Sequence, residues 1–440
     1  MILKNILKCI GAFFITIAAL WALLILTSLI PNGKIRTNMF GSAEQYNGAD
    51  PFYQSAGRNS VTDNYADVIL LNVLWNIKSD DPLVSSLDTK YYDGDDGVTD
   101  RGENYGLFSA VFEDTPPNTD YSRYWHGSVI FIRPLMLLGD VRVVKLAGII
   151  FSLLFLIIDC IMLIKRRQSF AAAALVISFL AVQMYNIRLS LEYMPTVLIC
   201  LGMLPFFVSL EKRGDVPLSV LSVICGTMTA FFDFLTTETL TILIPLIIIM
   251  MTRKNEGRFE GFKRELATSA KCGVSWVCAY LGTFLVKWTA ASIVTGENKF
   301  TAAISSAEVR VNGEAEELSP VMQMIFAPLA NISAMFGGYE RVSPANIIAG
   351  LFITAAISAG IFFIFRRGEK GSGKGFVWLM LVLGLVPYLR YIVLNNHSYL
   401  HEFFTYRAQA ASVLALMGAV WFYTFGAPLP EKKGRKVRRK

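Results

Sequence analysis

Charge is scarce in this sequence. Asp, Glu, Lys and Arg make up 17% of its 440 residues, against roughly a quarter in soluble globular domains, which excludes an ordinary soluble fold. Cysteine is little used, and Cys9, Cys160, Cys200, Cys225, Cys272 and Cys278 all lie in or beside apolar runs. That placement excludes a disulfide framework in the polar segments and a thiolate metal site of recognisable spacing. The apolar run over 9–30 lacks a small-residue cleavage pattern and exceeds a signal-peptide core, so it reads as a retained helix. No repeat with a period of roughly 20–50 residues is present, which excludes solenoids and propellers. Histidine is rarest, limited to His126, His397 and His401.

Apolar residues, by contrast, make up 54% of the chain. They gather into runs of about 20 residues, the length that crosses a bilayer. These runs predict an all-α polytopic membrane protein, a single membrane domain over 1–440 with about ten transmembrane helices. The helices are expected near 9–30, 144–164, 169–185, 194–210, 217–234, 240–253, 270–294, 345–365, 375–393 and 407–425. The formal charge of +7 does not point to nucleic acid, because seven basic residues crowd the last ten positions. Most others flank apolar runs, as in Lys165-Arg166-Arg167, Lys212-Arg213, Arg253-Lys254 and Arg366-Arg367. Short cytosolic loops carry such clusters. The threading therefore places both termini in the cytosol, with 426–440 as a basic cytosolic tail, in a multi-pass protein of the cell membrane.

Two longer segments then fall outside. The first, 31–141, holds fifteen acidic against seven basic residues up to position 124, and is expected to contain short juxtamembrane helices. Within it, Thr62-Asp63-Asn64-Tyr65-Ala66-Asp67 precedes apolar residues at helical spacing, which puts Asp63 and Asp67 on one face. Either carboxylate could serve as a general base toward a hydroxyl, or Asp63 could simply cap the helix. Further on, Tyr124-Trp125-His126-Gly127 leads into a short apolar stretch containing Arg133, suited to an amphipathic helix on the outer leaflet. The second segment, 296–344, carries six acidic against three basic residues and an interfacial or re-entrant helix near 321–336, interrupted by proline.

Ionisable side chains collect at outer helix ends. Arg188 and Glu192 lie four apart, Asp233 and Glu238 bracket a turn, and Arg390, His397, His401 and Arg407 cluster late in the chain. Charges at such depth are costly and commonly line a polar site or pathway, or pin helices as ion pairs. Asp93-Gly94-Asp95-Asp96-Gly97-Val98-Thr99-Asp100 is dense enough in carboxylates for a divalent cation, but its spacing is not that of an EF-hand and a solvated acidic loop is the better reading.

This layout resembles the GT-C superfamily of membrane glycosyltransferases, which includes protein O-mannosyltransferases and lipid A aminoarabinose transferases. The likeness lies in a first helix, a large outer loop with an acidic residue where Asp63 or Asp67 stands, and juxtamembrane helices over 124–138. His126 is present, but the prolines that follow the corresponding histidine in mannosyltransferases are not. The resemblance implies transfer of a sugar from a polyprenyl-phosphate carrier in membrane lipid to an outer acceptor, in cell-envelope polysaccharide or glycolipid assembly. Asp63 or Asp67 would take the acceptor proton, while Arg133, Arg188, Arg390 and Arg407 would hold the phosphate. His126, Glu192, Asp233, Glu238, His397 and His401 would line the substrate site. No cofactor is implied, and a divalent cation stays open. The rival classes are a lipid-linked glycan polymerase or ligase and a non-enzymatic transporter or flippase.

Overall fold

The computed structural model of the chain describes residues 2–94, 102–313, 318–337 and 373–425, with isolated positions between 340 and 360. Most of the helix expected over 345–365, together with positions 95–100 and the tail 426–440, lies outside the described residues. Six described helices are long and apolar enough to cross a membrane. Using our own labels, they include α1 (Ile2–Ser28), α7 (Val141–Lys165), α9 (Met194–Leu210), α10 (Asp215–Phe232) and α12 (Phe262–Thr295). The sixth, α15, covers Gly373–Val393. Shorter helices α8 (Ser169–Ala181), α11 (Leu240–Asn255) and α18 (Ala410–Thr424) pack among them.

The surfaces differ as their surroundings demand. Leu3, Phe14 and Ile15 on α1, and Leu146, Ile150, Ile157 and Ile164 on α7, are exposed. Apolar side chains in such number on one surface have only lipid tails as a suitable solvent. Helix α11 is the opposite case, with every residue from Leu240 to Lys254 buried. A helix apolar on all sides belongs inside a bundle, and α11 occupies that position between α9, α10, α12 and α18. These features define the class, an all-α multi-pass membrane protein.

Helices α10 and α12 pack most intimately, because Gly226 presents no side chain to the Trp276 backbone, which a Cβ would strike. Gly226→Val should therefore force the helices apart, a backbone clash costing about 1–3 kcal/mol or more. Folded protein extracted from membranes should fall sharply. Gly273→Val, on α12, is the control, since a Cβ there meets nothing within 4 Å and the variant should extract normally.

One face of the bundle gathers the basic clusters into ion pairs. Glu211 receives Arg253 and Arg258, Glu265 receives Arg253, and Asp215 receives Arg264 and Lys271. On the opposite face lie α2 (Asn32–Tyr46), α3 (Asn64–Trp75), α4 (Pro82–Leu87), α5 (Gly102–Phe112) and α6 (Val129–Leu135). A two-stranded antiparallel ladder pairs Lys90 with Asp120 and Tyr91 with Thr119. The same face carries α13 (Lys299–Asn312), α14 (Pro320–Met335), α16 (Asn395–Leu400) and α17 (Glu402–Thr405). Helix α13 was not expected from the sequence. Arg133 binds this cap to the bundle, donating to the carbonyls of Ile30 (3.0 Å) and Leu74 (2.7 Å) and to Asn32 Oδ1 (2.7 Å).

Candidate functional site

The polar face holds a buried cluster assembled from distant parts of the chain. Asp63 caps α3, one carboxylate oxygen accepting the Ala66 N–H at 2.9 Å. The cap is fixed locally, since an acidic side chain at this position satisfies a free amide of the first turn. Its carboxyl group also lies close to that of Glu192, and the two act on each other's protonation. Two buried carboxyl groups this close cannot both carry charge, so the pair retains a proton. Burial raises Asp63 to about 7, and burial together with the charges of Asp63 and Asp233 raises Glu192 well above the carboxylate range.

Asp67, one turn along the same face, is fully occupied. It accepts from the Tyr46 hydroxyl (2.7 Å), the Ser190 hydroxyl (2.8 Å) and the Leu191 N–H (2.6 Å), and pairs with Lys145 Nζ at 2.6 Å. Those contacts join α2, α3, α7 and the turn before α9. Lys145→Met should leave this carboxylate buried without its counter-ion, at a cost of about 3–5 kcal/mol. The thermal midpoint in detergent should drop, and adding Asp67→Asn should recover much of the loss.

A second group of residues surrounds the turn after α10. Burial and the nearby Glu238 charge raise Asp233 to about 7, while its carboxylate accepts the Thr236 N–H at 3.1 Å. Glu238 pairs with Arg390 Nε at 2.8 Å, and Arg390 also reaches Ser398 Oγ at 2.8 Å. Leu235 adopts a left-handed backbone, φ 68°, an unfavourable conformation for a branched residue. Its carbonyl is held by Arg390 Nη2 (2.5 Å) and His397 Nε2 (2.9 Å), which offsets that cost.

Arg407 is the most unusual member. Its side chain is buried, yet none of its three guanidinium nitrogens makes a hydrogen bond among the described residues. It lies over the rings of Tyr193 (4.6 Å) and Tyr406 (5.1 Å). The Tyr193 hydroxyl is likewise unpartnered among the described residues, and Asp63, Arg407 and Glu192 all act electrostatically on it. Phe404 stands between Tyr193 and His401, stacking on the His401 ring at 5.3 Å. His126 faces Tyr121, Tyr124 and Phe234, its Nε2 lying 3.0 Å from the Tyr121 carbonyl. Burial lowers both His126 and His401 to about 3, so both rings are neutral at physiological pH.

Not every expected residue joins this group. Arg188 is exposed and makes no ion pair with Glu192 among the described residues. The chain there forms a 3₁₀ turn, Met184–Leu189, and then an extended Ser190, which breaks the helical four-residue spacing and turns Glu192 inward. Arg133 is consumed by backbone carbonyls and Asn32. Tyr193 was missed by the sequence reading, although its place beside Glu192 is a signal that could have found it. Among the described residues, no three His, Cys, Asp or Glu converge to hold a metal ion.

Below the cluster, in the apolar part of the bundle, a groove of about 500 Å³ runs between α1, α6, α7, α9 and α10. Leu23, Phe131, Ala147, Phe155, Leu198 and Phe206 are among its lining residues. Leu191 and Phe232 also line it, and each is followed directly in the chain by a cluster carboxyl, Glu192 and Asp233. No protein-family model, curated protein or solved structure matches the chain.

Proposed function

We propose that the chain is a GT-C-like membrane glycosyltransferase that moves a sugar from a polyprenyl-phosphate carrier to an outer acceptor in cell-envelope polysaccharide or glycolipid assembly. In this reading the membrane domain has about ten spans, both termini are cytosolic, and the polar cap faces outward. The observation that carries the proposal is an apolar groove whose lining residues Leu191 and Phe232 are the chain neighbours of the cluster carboxyls Glu192 and Asp233, in a cluster where Arg407, over Tyr193, has an unpartnered guanidinium among the described residues. An isoprenoid tail suits the groove, and a phosphate suits Arg407, whose planar donors match phosphate oxygens.

The chemistry then follows from the residues. Asp63 takes the proton of the acceptor hydroxyl while Glu192 keeps the proton the pair retains. The hydroxyl oxygen forms the new bond to the anomeric carbon, and the bond from that carbon to the phosphate oxygen breaks. Arg407 stabilises the charge left on the departing phosphate, a large contribution in a site closed to water. Asp67 serves the architecture in this scheme, and Arg188 and Arg133 take no part.

Ala147→Trp tests the assignment of the groove, since an indole at that position fills it. Transfer from long-chain polyprenyl donors should fall about tenfold or more through misplacement of the reacting centre, with short-chain donors little affected. Equal loss with both donors would remove the groove from the account. The transporter reading has one observation in its favour. Asp159, within α7, is buried with both oxygens unpartnered among the described residues, as an ion-pathway carboxyl would be.

A further inference from the structure

Several cations of the polar cap are matched to carboxylates. Arg58 and Arg341 pair with Glu402, Arg390 with Glu238, Lys145 with Asp67, and Lys299 with Asp88 and Asp120. Arg123 and Arg310 are different. Both are half-buried, within reach of water, and neither makes an ion pair among the described residues. They come from distant parts of the chain and converge on one phenol, Tyr124. From α13, Arg310 Nη2 donates to the Tyr124 hydroxyl at 2.6 Å and Nη1 to the Ser306 carbonyl at 2.7 Å. The Arg123 guanidinium lies 5.4 Å from the centre of the Tyr124 ring and 4.2 Å from that of Tyr121.

Nothing in this arrangement neutralises the two charges. The strongest electrostatic neighbours of Arg123 are Tyr121, Tyr124 and Tyr91, phenols that carry no charge at physiological pH. Two guanidinium groups gathered at one ring repel each other, and contact with aromatic faces offsets only part of that cost. An anion from outside the chain would remove the repulsion. The donors for it are in place, because guanidinium forks match the oxygens of carboxylate or phosphate. The Tyr124 hydroxyl accepts from Arg310 and still has its own proton to donate.

The pair belongs to the neighbourhood of the carboxyl cluster. Tyr121 feels the charges of Arg123, Arg310 and Glu192 together, and Phe234, the residue after Asp233, packs on Tyr124 at 5.2 Å. Arg407 reaches Glu192 and Asp63 by a different route, through Tyr193. The carboxyl pair therefore has two separate cationic neighbours, and one departing phosphate requires only the first. We propose that Arg123 and Arg310, with the Tyr124 hydroxyl, bind an acidic group on the acceptor, a carboxylate or phosphate carried by the sugar that receives the transfer. The word acceptor rests on the transfer reading above, whereas the anion site rests on the unmatched arginines alone. In a half-buried site these charge-assisted bonds outweigh those a neutral sugar can make, so the pair selects acidic acceptors.

The test is a titration of the purified full chain in detergent, with no donor present and the thermal midpoint as readout. The probes are methyl glucuronide, methyl glucoside phosphorylated on its primary hydroxyl, and neutral methyl glucoside. At least one acidic sugar should raise the midpoint where the neutral sugar does not, and the one that does so names the acid. Arg123→Gln and Arg310→Gln should each weaken that binding about tenfold, and Arg310→Lys, which keeps the charge, should fall between. Ligand-free midpoints near wild type show that the variants fold. No preference for either acidic sugar, or undiminished binding in the folded glutamine variants, would overturn the proposal. Equal stabilisation by inorganic phosphate or acetate would assign the site to free anions and overturn it as well. The transfer reading is judged apart from this. Acidic sugars that bind through both arginines, in a chain that transfers nothing, would keep the site and remove the transfer. Transfer to neutral acceptors, undiminished in Arg123→Gln, would keep the transfer and remove this proposal.

Discussion

Asp63→Asn should lower sugar transfer by about 10²- to 10⁴-fold, the contribution of a positioned general base, in a chain that still folds. The folding half of this expectation rests on the cap. Asn accepts a first-turn N–H about as well as Asp, so the bond to Ala66 survives. Its amide can also donate to Glu192, replacing the retained proton. Asp67→Asn should behave in the reverse way, weakening the fold through Lys145 more than the chemistry.

The pH dependence adds a second signature. A base must be ionised, so transfer by wild type should rise with pH through about 7, where burial places Asp63, and Asp63→Asn should lose that limb. Stability runs in the opposite direction. The folded value of about 7 stands above roughly 4 in an unfolded chain. The stabilisation that protonated Asp63 provides is therefore complete below pH 4 and is lost as pH rises toward 7. Initial rates and thermal midpoints across pH 5–8 measure both trends. A flat rate profile, or an Asp63→Asn rate equal to wild type, would remove the base from the mechanism.

Arg407→Met should lower transfer by about 10²- to 10³-fold, with a thermal midpoint that holds or rises. Burying a guanidinium costs several kcal/mol after relaxation. The rings of Tyr193 and Tyr406 return roughly 0.5–2 kcal/mol through cation–π contact, and no hydrogen bond adds to it among the described residues. The imbalance favours methionine, which keeps the length and can contact the same rings. A merely structural arginine would give the opposite pairing, a lower midpoint with the rate per folded molecule retained. Parallel rate and unfolding measurements in detergent separate the two.

Much of the architecture was legible because it follows from local pattern. Apolar runs bounded at one end by basic clusters marked α7, α9, α10 and α11, and Thr62-Asp63 before an apolar spacing marked the start of α3. The start of α12 was set eight residues late, at 270 instead of Phe262, because its first turns are amphiphilic and extend beyond the apolar run. Helix α13 was read as loop, since its charged residues resemble those of a solvated segment. The site was legible as a set of residue types but not as a set of roles. Asp63 and Asp67 look equivalent in sequence, and they differ only because Tyr46, Lys145, Ser190 and Leu191 converge on the second. Arg188 and Arg407 likewise look alike. One is exposed by a 3₁₀ turn, and the other is buried under two tyrosines. Asp159 passed unnoticed inside a long apolar run.

The most direct test of the central claim follows the fate of both halves of a synthetic polyprenyl-phosphate sugar labelled in the sugar and in the lipid. The donor is supplied to membranes with and without the chain, and the products are separated by mass. The account predicts that the sugar label moves to an acceptor while free polyprenyl phosphate accumulates in equal amount, both dependent on Asp63. Intact donor crossing the bilayer with no release of polyprenyl phosphate would contradict it and make the chain a transporter.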